Sequence, residues 1–189
     1  MNIVLTGMSG SGKSTFGKYC SELLNMPIID LDGEICRKYG GSIPAIFAAG
    51  GEKFFRELEL NEALTAASLS NVIIATGGGT VLSEEGMNAL KKSGLVVYLN
   101  CDADTLCKRL ECATDERPML DNENTLEQNI EKMLSEREEL YYRYADIVLN
   151  ESQVLASRNL LDSPLTDQLG ALYLELVLKL EKKVYAKFC

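Results

Sequence analysis

The nine residues GMSGSGKST, positions 7–15, constrain this chain more than any other stretch in it. They follow a short apolar run, Ile3 to Leu5, and lead into a segment with helical spacing of its apolar residues. Gly7, Gly12, Lys13 and Ser14 satisfy G-x-x-x-x-G-K-[ST]. Such a loop gathers backbone N–H groups in front of a helix N-terminus, where the dipole favours an anion. Glycines allow close approach of the main chain, the lysine reaches the β- and γ-phosphates, and the hydroxyl after it ligates Mg2+. The bland alternative is a glycine-rich turn joining strand to helix, and the flanking pattern weighs against it. The motif names a ligand and leaves the reaction open.

A phosphate loop on a chain of 189 residues predicts one domain, with a sheet covered by helices on both faces. No apolar run approaches the roughly 18 residues that a membrane span requires. The net charge of −9 repels nucleic acid and anionic membranes, so neither is expected as a partner. Six cysteines, at 20, 36, 101, 107, 112 and 189, form no C-x-x-C pair, and histidine is absent; reduced thiols are expected and a zinc site is not. Without histidine, any general base is a carboxylate, lysine, tyrosine or cysteine. The chain enters its first strand with no basic region or cleavable apolar segment before it, so a cytoplasmic protein is expected. A monomer is the default expectation.

Short apolar runs at Asn2–Thr6, Met26–Asp30, Asn71–Thr76, Gly94–Asn100 and Asp146–Asn150 read as strands, and their near-continuous hydrophobicity suits a sheet buried on both faces. Helical patterns fill the intervals at Lys13–Leu24, about Glu52–Ser70, Ser83–Lys92, Ala103–Glu111 and Thr125–Tyr144, several after a Ser, Thr or Asp suited to an N-cap. The alternation predicts an α/β fold with a parallel sheet and ligands at the carboxyl ends of its strands. Two segments break the rhythm: Asp32–Gly51, and the polar stretch Cys112–Asn124. Long interruptions of this kind are usually lids or binding segments. Ser163-Pro164 opens a last amphipathic pattern containing Leu165, Leu169, Leu172, Tyr173, Leu176, Val177 and Leu180, which predicts a closing helix over about 164–188 packed on the sheet.

Five further places carry chemistry. Asp30 and Asp32, in IIDLDGE, stand two apart, and in an extended segment both face the same way. Phosphoryl transfer needs one group near the metal and one near the acceptor oxygen; a solvated strand end with an N-cap for a helix near Glu34 explains the pair equally well. Arg56, in GGEKFFRELE, offers a fork for a carboxylate or phosphate, against an ordinary helix pair with Glu59. Gly77, Gly78 and Gly79 end the third strand, where something approaches the main chain closely or the chain simply turns. Arg117 lies in the unpatterned segment, placed to close over a triphosphate. Arg137 sits in SEREELYYRYAD among acids, where a surface ion pair is the simpler reading.

Taken together, GMSGSGKST, the DLD of residues 30–32, GGSIPAIFAAGGEKFFRELE, ATGGGTV, ERPML, and Arg137 with Tyr141 and Ala145-Asp146 resemble shikimate kinases, small members of the nucleoside monophosphate kinase group, over about residues 1–150. The resemblance implies a five-stranded parallel sheet of order 2-3-1-4-5, a substrate-binding region over about 32–63 and a lid over about 112–124. It implies transfer of phosphate from ATP to shikimate. Gly10, Ser11, Gly12, Lys13, Ser14, Thr15 and Arg117 would bind ATP, and Ser14 and Asp30 would hold Mg2+. Asp32, Arg56, Gly77, Gly78, Gly79 and Arg137 would bind shikimate, with Asp32 positioning or deprotonating its hydroxyl and the two arginines clamping its carboxylate. Lys13, Asp32 and Arg117 would be the catalytic set.

Glu139 replaces the family's usual proline after the second clamp arginine. The stretch ESQVLASRNLLDSPLTDQ is longer than the family pattern, and Arg158 and Arg109 compete as the basic residue beside the adenine. Two other readings stand beside this one: a kinase for another small acceptor such as gluconate, and a non-catalytic kinase-like binding protein.

Overall fold

A computed structural model describes residues 1–112 and 124–185. The five expected strands are present as β1 (Asn2–Thr6), β2 (Ile28–Asp30), β3 (Ile73–Ala75), β4 (Gly94–Asn100) and β5 (Ile147–Asn150). All neighbours pair in parallel, in the order β2-β3-β1-β4-β5, with Leu5 opposite Ala75, Val4 opposite Val96 and Tyr98 opposite Val148.

Successive residues of a strand point to opposite faces, and here each face has its own apolar layer. Val4, Ile74, Val96 and Tyr98 pack with α3 (Ile43–Ala67), α4 (Glu84–Ser93), α5 (Ala103–Glu111) and α6 (Leu126–Tyr144), through Ala63, Met87, Leu106 and Tyr141 among others. Leu5, Ile73, Val97 and Leu99 pack on the other side with Phe16 and Cys20 of α1 (Lys13–Leu24), Leu155 of α7 (Glu151–Ser157), and Leu172 and Leu176 of α8 (Leu165–Tyr185). The closing helix therefore covers the sheet as its pattern predicts, leaving Leu165, Leu174 and Leu178 exposed. Helix α7 has no counterpart in the sequence reading. Among the described residues no helix is long and apolar enough to cross a membrane.

The Asp32–Gly51 excursion is helical, not irregular. Strand β2 ends at Asp30 and α2 (Leu31–Tyr39) begins at the next residue, capped by the Asp30 side chain accepting from Gly33 N at 3.2 Å. Then α3 starts behind Ser42 and bends at Gly51, whose φ of 72° lies in the left-handed region. A residue with a Cβ is strained there, so the bend belongs to glycine. Ile35, Ile46, Phe55 and Leu58 form a small third cluster that joins α2 to both halves of α3. The segment thus has its own apolar support at the edge of the sheet.

Helix starts set one element apart. Helices α2 to α7 each begin on a side chain that accepts from a backbone N–H of the first turn: Asp30, Ser42, Ser83, Asp102, Thr125 and Asn150. Helix α1 begins on Gly12, in a left-handed conformation and with no side-chain cap. Its first N–H groups are left to an anion.

Candidate active site

A cavity of about 910 Å³ opens at the carboxyl ends of the strands, within the range of small-ligand sites. The phosphate loop forms one wall with Gly10, Ser11, Gly12, Lys13, Ser14 and Thr15. Gly7, Gly10 and Gly12 all have positive φ, which lets the loop curl back on itself. Lys13 is buried, and its Nζ donates to the carbonyls of Gly7 at 2.9 Å and Met8 at 2.8 Å. These bonds hold the ammonium against the loop. Ser14 Oγ donates to Asp30 Oδ2, so a hydroxyl and a carboxylate meet at one point beside the loop. Oxygen donors in small number suit Mg2+, which keeps waters and takes phosphates as further ligands.

Asp30 and Asp32 both line the cavity, though not by the geometry of an extended pair. Asp30 closes β2 and Asp32 lies in the first turn of α2. The N-cap alternative holds too, with Asp30 rather than Asp32 as the cap and the helix three residues earlier than Glu34.

Arg56 makes the helix pair of its simpler reading and also stands on the cavity wall. Its guanidinium pairs with Glu59 and, at 3.2 Å, with Glu52. Glu59 is 2% exposed and accepts from Thr80 Oγ1 at 3.3 Å. Burial raises the pKa of its carboxyl, against the opposing charge of Arg56. The sequence reading treated Glu59 only as the bland partner of Arg56; its i, i+3 spacing was the signal that it belongs to the site.

Arg137 is where the simpler reading fails. It is 5% exposed, and among the described residues no carboxylate lies within 4.0 Å of it. Its Nη1 donates to Gly78 O at 3.3 Å, and its Nε has no partner among the described residues. The buried carboxylate of Glu59 acts on it through space without touching it, so its charge is only partly matched, an unfavourable state for a buried cation. This one faces the cavity. The helix face explains the burial: Ile130, Arg137, Tyr141 and Tyr144, spaced to fall on one side of α6, are all buried, so Arg137 occupies a core position among acidic neighbours that face water. Tyr141 stacks on Tyr98 at 4.9 Å, and its hydroxyl donates to Gly78 O at 2.6 Å.

The three glycines divide by role. A Cβ on Gly79 would sit 1.9 Å from Arg56 Nη1, and one on Gly78 would sit 2.6 Å from Ser9 Oγ; both residues line the cavity. Gly77 does not line it. A Cβ there would meet Glu59 Oε1 at 2.5 Å and Asp32 Oδ1 at 2.6 Å, so Gly77 makes room for two carboxylates and lies behind the wall. Arg117 and most of the 112–124 stretch fall outside the described residues. Of the two adenine-side candidates, Arg109 lines the cavity and Arg158 pairs instead with Glu175 at 3.4 Å. Helix α8 adds Leu165, Gln168, Leu169 and Leu172 to the same wall, a contribution that the sequence reading did not assign.

An uncapped glycine-rich loop, a strand order of 2-3-1-4-5 and a cavity at the strand ends define a P-loop kinase of the nucleoside monophosphate kinase-like group. The family model described as shikimate kinase matches residues 9–163. A shikimate kinase of Caldicellulosiruptor bescii is 41% identical over 149 residues, covering 79% of this chain and 85% of that one. The structure of a shikimate kinase from Acinetobacter baumannii in complex with shikimate superposes with a TM-score of 0.82 at 32% identity, covering 96% of this chain and 94% of that one. That of Bacteroides thetaiotaomicron gives 0.80 at 32% identity, with 95% and 98% covered. The chain belongs to the shikimate kinase family, and is an ATP-dependent kinase.

Proposed function

We propose that the cavity transfers the γ-phosphoryl group of ATP to a hydroxyl of shikimate, with each half of the cavity holding one reactant. The buried Arg137, with no carboxylate within 4.0 Å among the described residues and turned into the cavity, carries this reading. An anionic acceptor supplies the missing countercharge, and a second guanidinium, Arg56, stands at the same wall to complete a two-point clamp. Fixed in this way, the ring presents its hydroxyl toward Asp32, which orients it or takes its proton. Gly78 and Gly79 keep side chains out of the acceptor's path. Gly77 serves indirectly, by admitting Asp32 and Glu59 behind it.

On the other side, the loop from Gly10 to Thr15 and the open end of α1 receive the phosphates, and Lys13 exchanges its carbonyl partners for phosphate oxygens. Ser14 and Asp30 are the residues that would hold Mg2+, which neutralises charge on the phosphates when bound. Arg117 is assigned to ATP by the family resemblance. The region 32–63 acts as the acceptor-binding part and 112–124 as a lid, in a single-domain monomer of the cytoplasm.

A coupled ADP-release assay tests the reading, with Mg2+ present and with shikimate, gluconate and nucleoside monophosphates offered in turn. Turnover with shikimate alone supports it. A folded, ADP-binding protein that turns over gluconate and not shikimate would place it in another acceptor class, and one that turns over none would leave a binding protein.

A further inference from the structure

One charged pair beside the phosphate loop has no part in the mechanism above. Arg109, in the last turn of α5, reaches across to the loop, where its Nη1 donates to Gly10 O at 3.5 Å and lies 3.8 Å from the position of a Cβ on Gly12. Its stronger contacts go the other way. Nη2 donates to Glu151 Oε1 at 2.5 Å and Nη1 to Oε2 at 3.0 Å, a two-point fork between α5 and the first residue of α7.

Glu151 is itself held. Its Oε2 accepts from the buried thiol of Cys101 at 2.8 Å, and its side chain is 12% exposed against 33% for Arg109. Helix α7 starts on Asn150, which accepts from Gln153 N at 3.0 Å, and is tied to α5 by a bond from Ser152 Oγ to Asp102. Burial pushes the Cys101 thiol pKa up, and the Glu151 charge adds to the rise, so the thiol stays a donor.

We infer that Glu151 is a positioning residue for the nucleotide: its carboxylate fixes the Arg109 guanidinium in a set plane over the phosphate loop before ATP arrives. A free arginine samples many rotamers, and binding must otherwise remove part of that freedom. Pairing at the edge of the guanidinium leaves its flat face for a planar or anionic group of the nucleotide. The opposing effect is repulsion between Glu151 and the phosphates. The low exposure of Glu151 and its full set of donors keep that charge matched within the pair.

The inference rests on the nucleotide half of the proposed function and not on the acceptor, so its test is a titration of the full chain with ADP, without shikimate. Glu151→Gln keeps the shape and removes the charge. The dissociation constant for ADP rises about tenfold, the loss of one pre-set side chain, while the KM for shikimate stays within about twofold. Introducing Glu151→Gln into Arg109→Ala adds no further loss, because Glu151 acts through that guanidinium. Unchanged or tighter ADP binding in Glu151→Gln overturns the inference, as does an equal loss in the Arg109→Ala background. Circular dichroism checks that each variant folds. Failure to phosphorylate shikimate with ADP binding intact would sink the acceptor assignment and leave this inference standing.

Discussion

The two halves proposed for the cavity, one for a nucleotide and one for an acceptor, would face the same difficulty, holding an anion on a chain of net charge −9, and would meet it by different means. In the nucleotide half, the favourable charge comes from main chain: an uncapped helix start, curled glycines and one lysine already bonded to carbonyls of its own loop. In the acceptor half it comes from two side chains brought together across the fold, Arg56 from α3 and Arg137 from α6. The first is a local device that travels with nine residues. The second exists only when α3, α6 and the end of β3 are docked. Nucleotide binding should therefore survive changes that abolish acceptor binding, and the converse should hold less well.

Asp32→Asn is expected to separate the halves most sharply. Removing the carboxylate proposed to face the acceptor hydroxyl is expected to lower kcat by about 10²–10⁴, the usual worth of a general base, with ADP affinity unchanged by titration. Equal losses in both would mean that Asp32 supports the phosphate loop.

Arg137→Met comes next. The KM for shikimate rises about ten- to hundredfold, as for loss of a charge-assisted contact of about 1.5–3 kcal/mol. Fold stability, measured in urea, does not fall by the same amount, because a buried cation with no carboxylate within 4.0 Å among the described residues is replaced by an apolar side chain of similar reach. If stability collapses instead, Arg137 is structural.

Tyr141→Phe removes the hydroxyl's bond to Gly78 O, at 2.6 Å, and its weaker contact with Met8 Sδ, at 3.7 Å. It is expected to lower stability by about 1 kcal/mol and to raise the shikimate KM a few-fold, without effect on ADP. The comparison blurs if ADP binding weakens as much.

The smallest effect concerns pH. Burial raises the pKa of Glu59 above its ordinary value of 4.5, so the folded protein holds this proton more tightly than the unfolded chain does. Its contribution to stability is complete below that value and is lost as pH rises through the folded value. Stability of Glu59→Gln should fall less steeply than that of the unchanged protein over this rise, by urea unfolding at matched pH values. An identical slope would show that pairing with Arg56 cancels the burial.

The same contrast explains what the sequence made legible. The phosphate loop, all five strands and the sheet's two apolar faces were readable, because each is carried by neighbouring residues or by a period. Arg137 was not, since its acidic neighbours describe the outer face of α6, and only the stripe of Ile130, Tyr141 and Tyr144 marks its inner one. The 32–51 segment looked irregular because Gly40, Gly41, Gly50 and Gly51 punctuate two helices that tertiary packing joins. Gly77 and its neighbours look alike in sequence, and only the docking of Glu59 and Asp32 behind Gly77 separates their tasks. Glu151 was invisible for a related reason: its partner is 42 residues away on another helix.

The most direct test is a crystal structure of this protein with ADP and shikimate bound together. The β-phosphate of ADP is expected at Lys13, the shikimate carboxylate between Arg56 and Arg137, and the acceptor hydroxyl within hydrogen-bond reach of Asp32. Shikimate bound with its carboxylate away from Arg137, or outside the cavity beside Lys13, would contradict it.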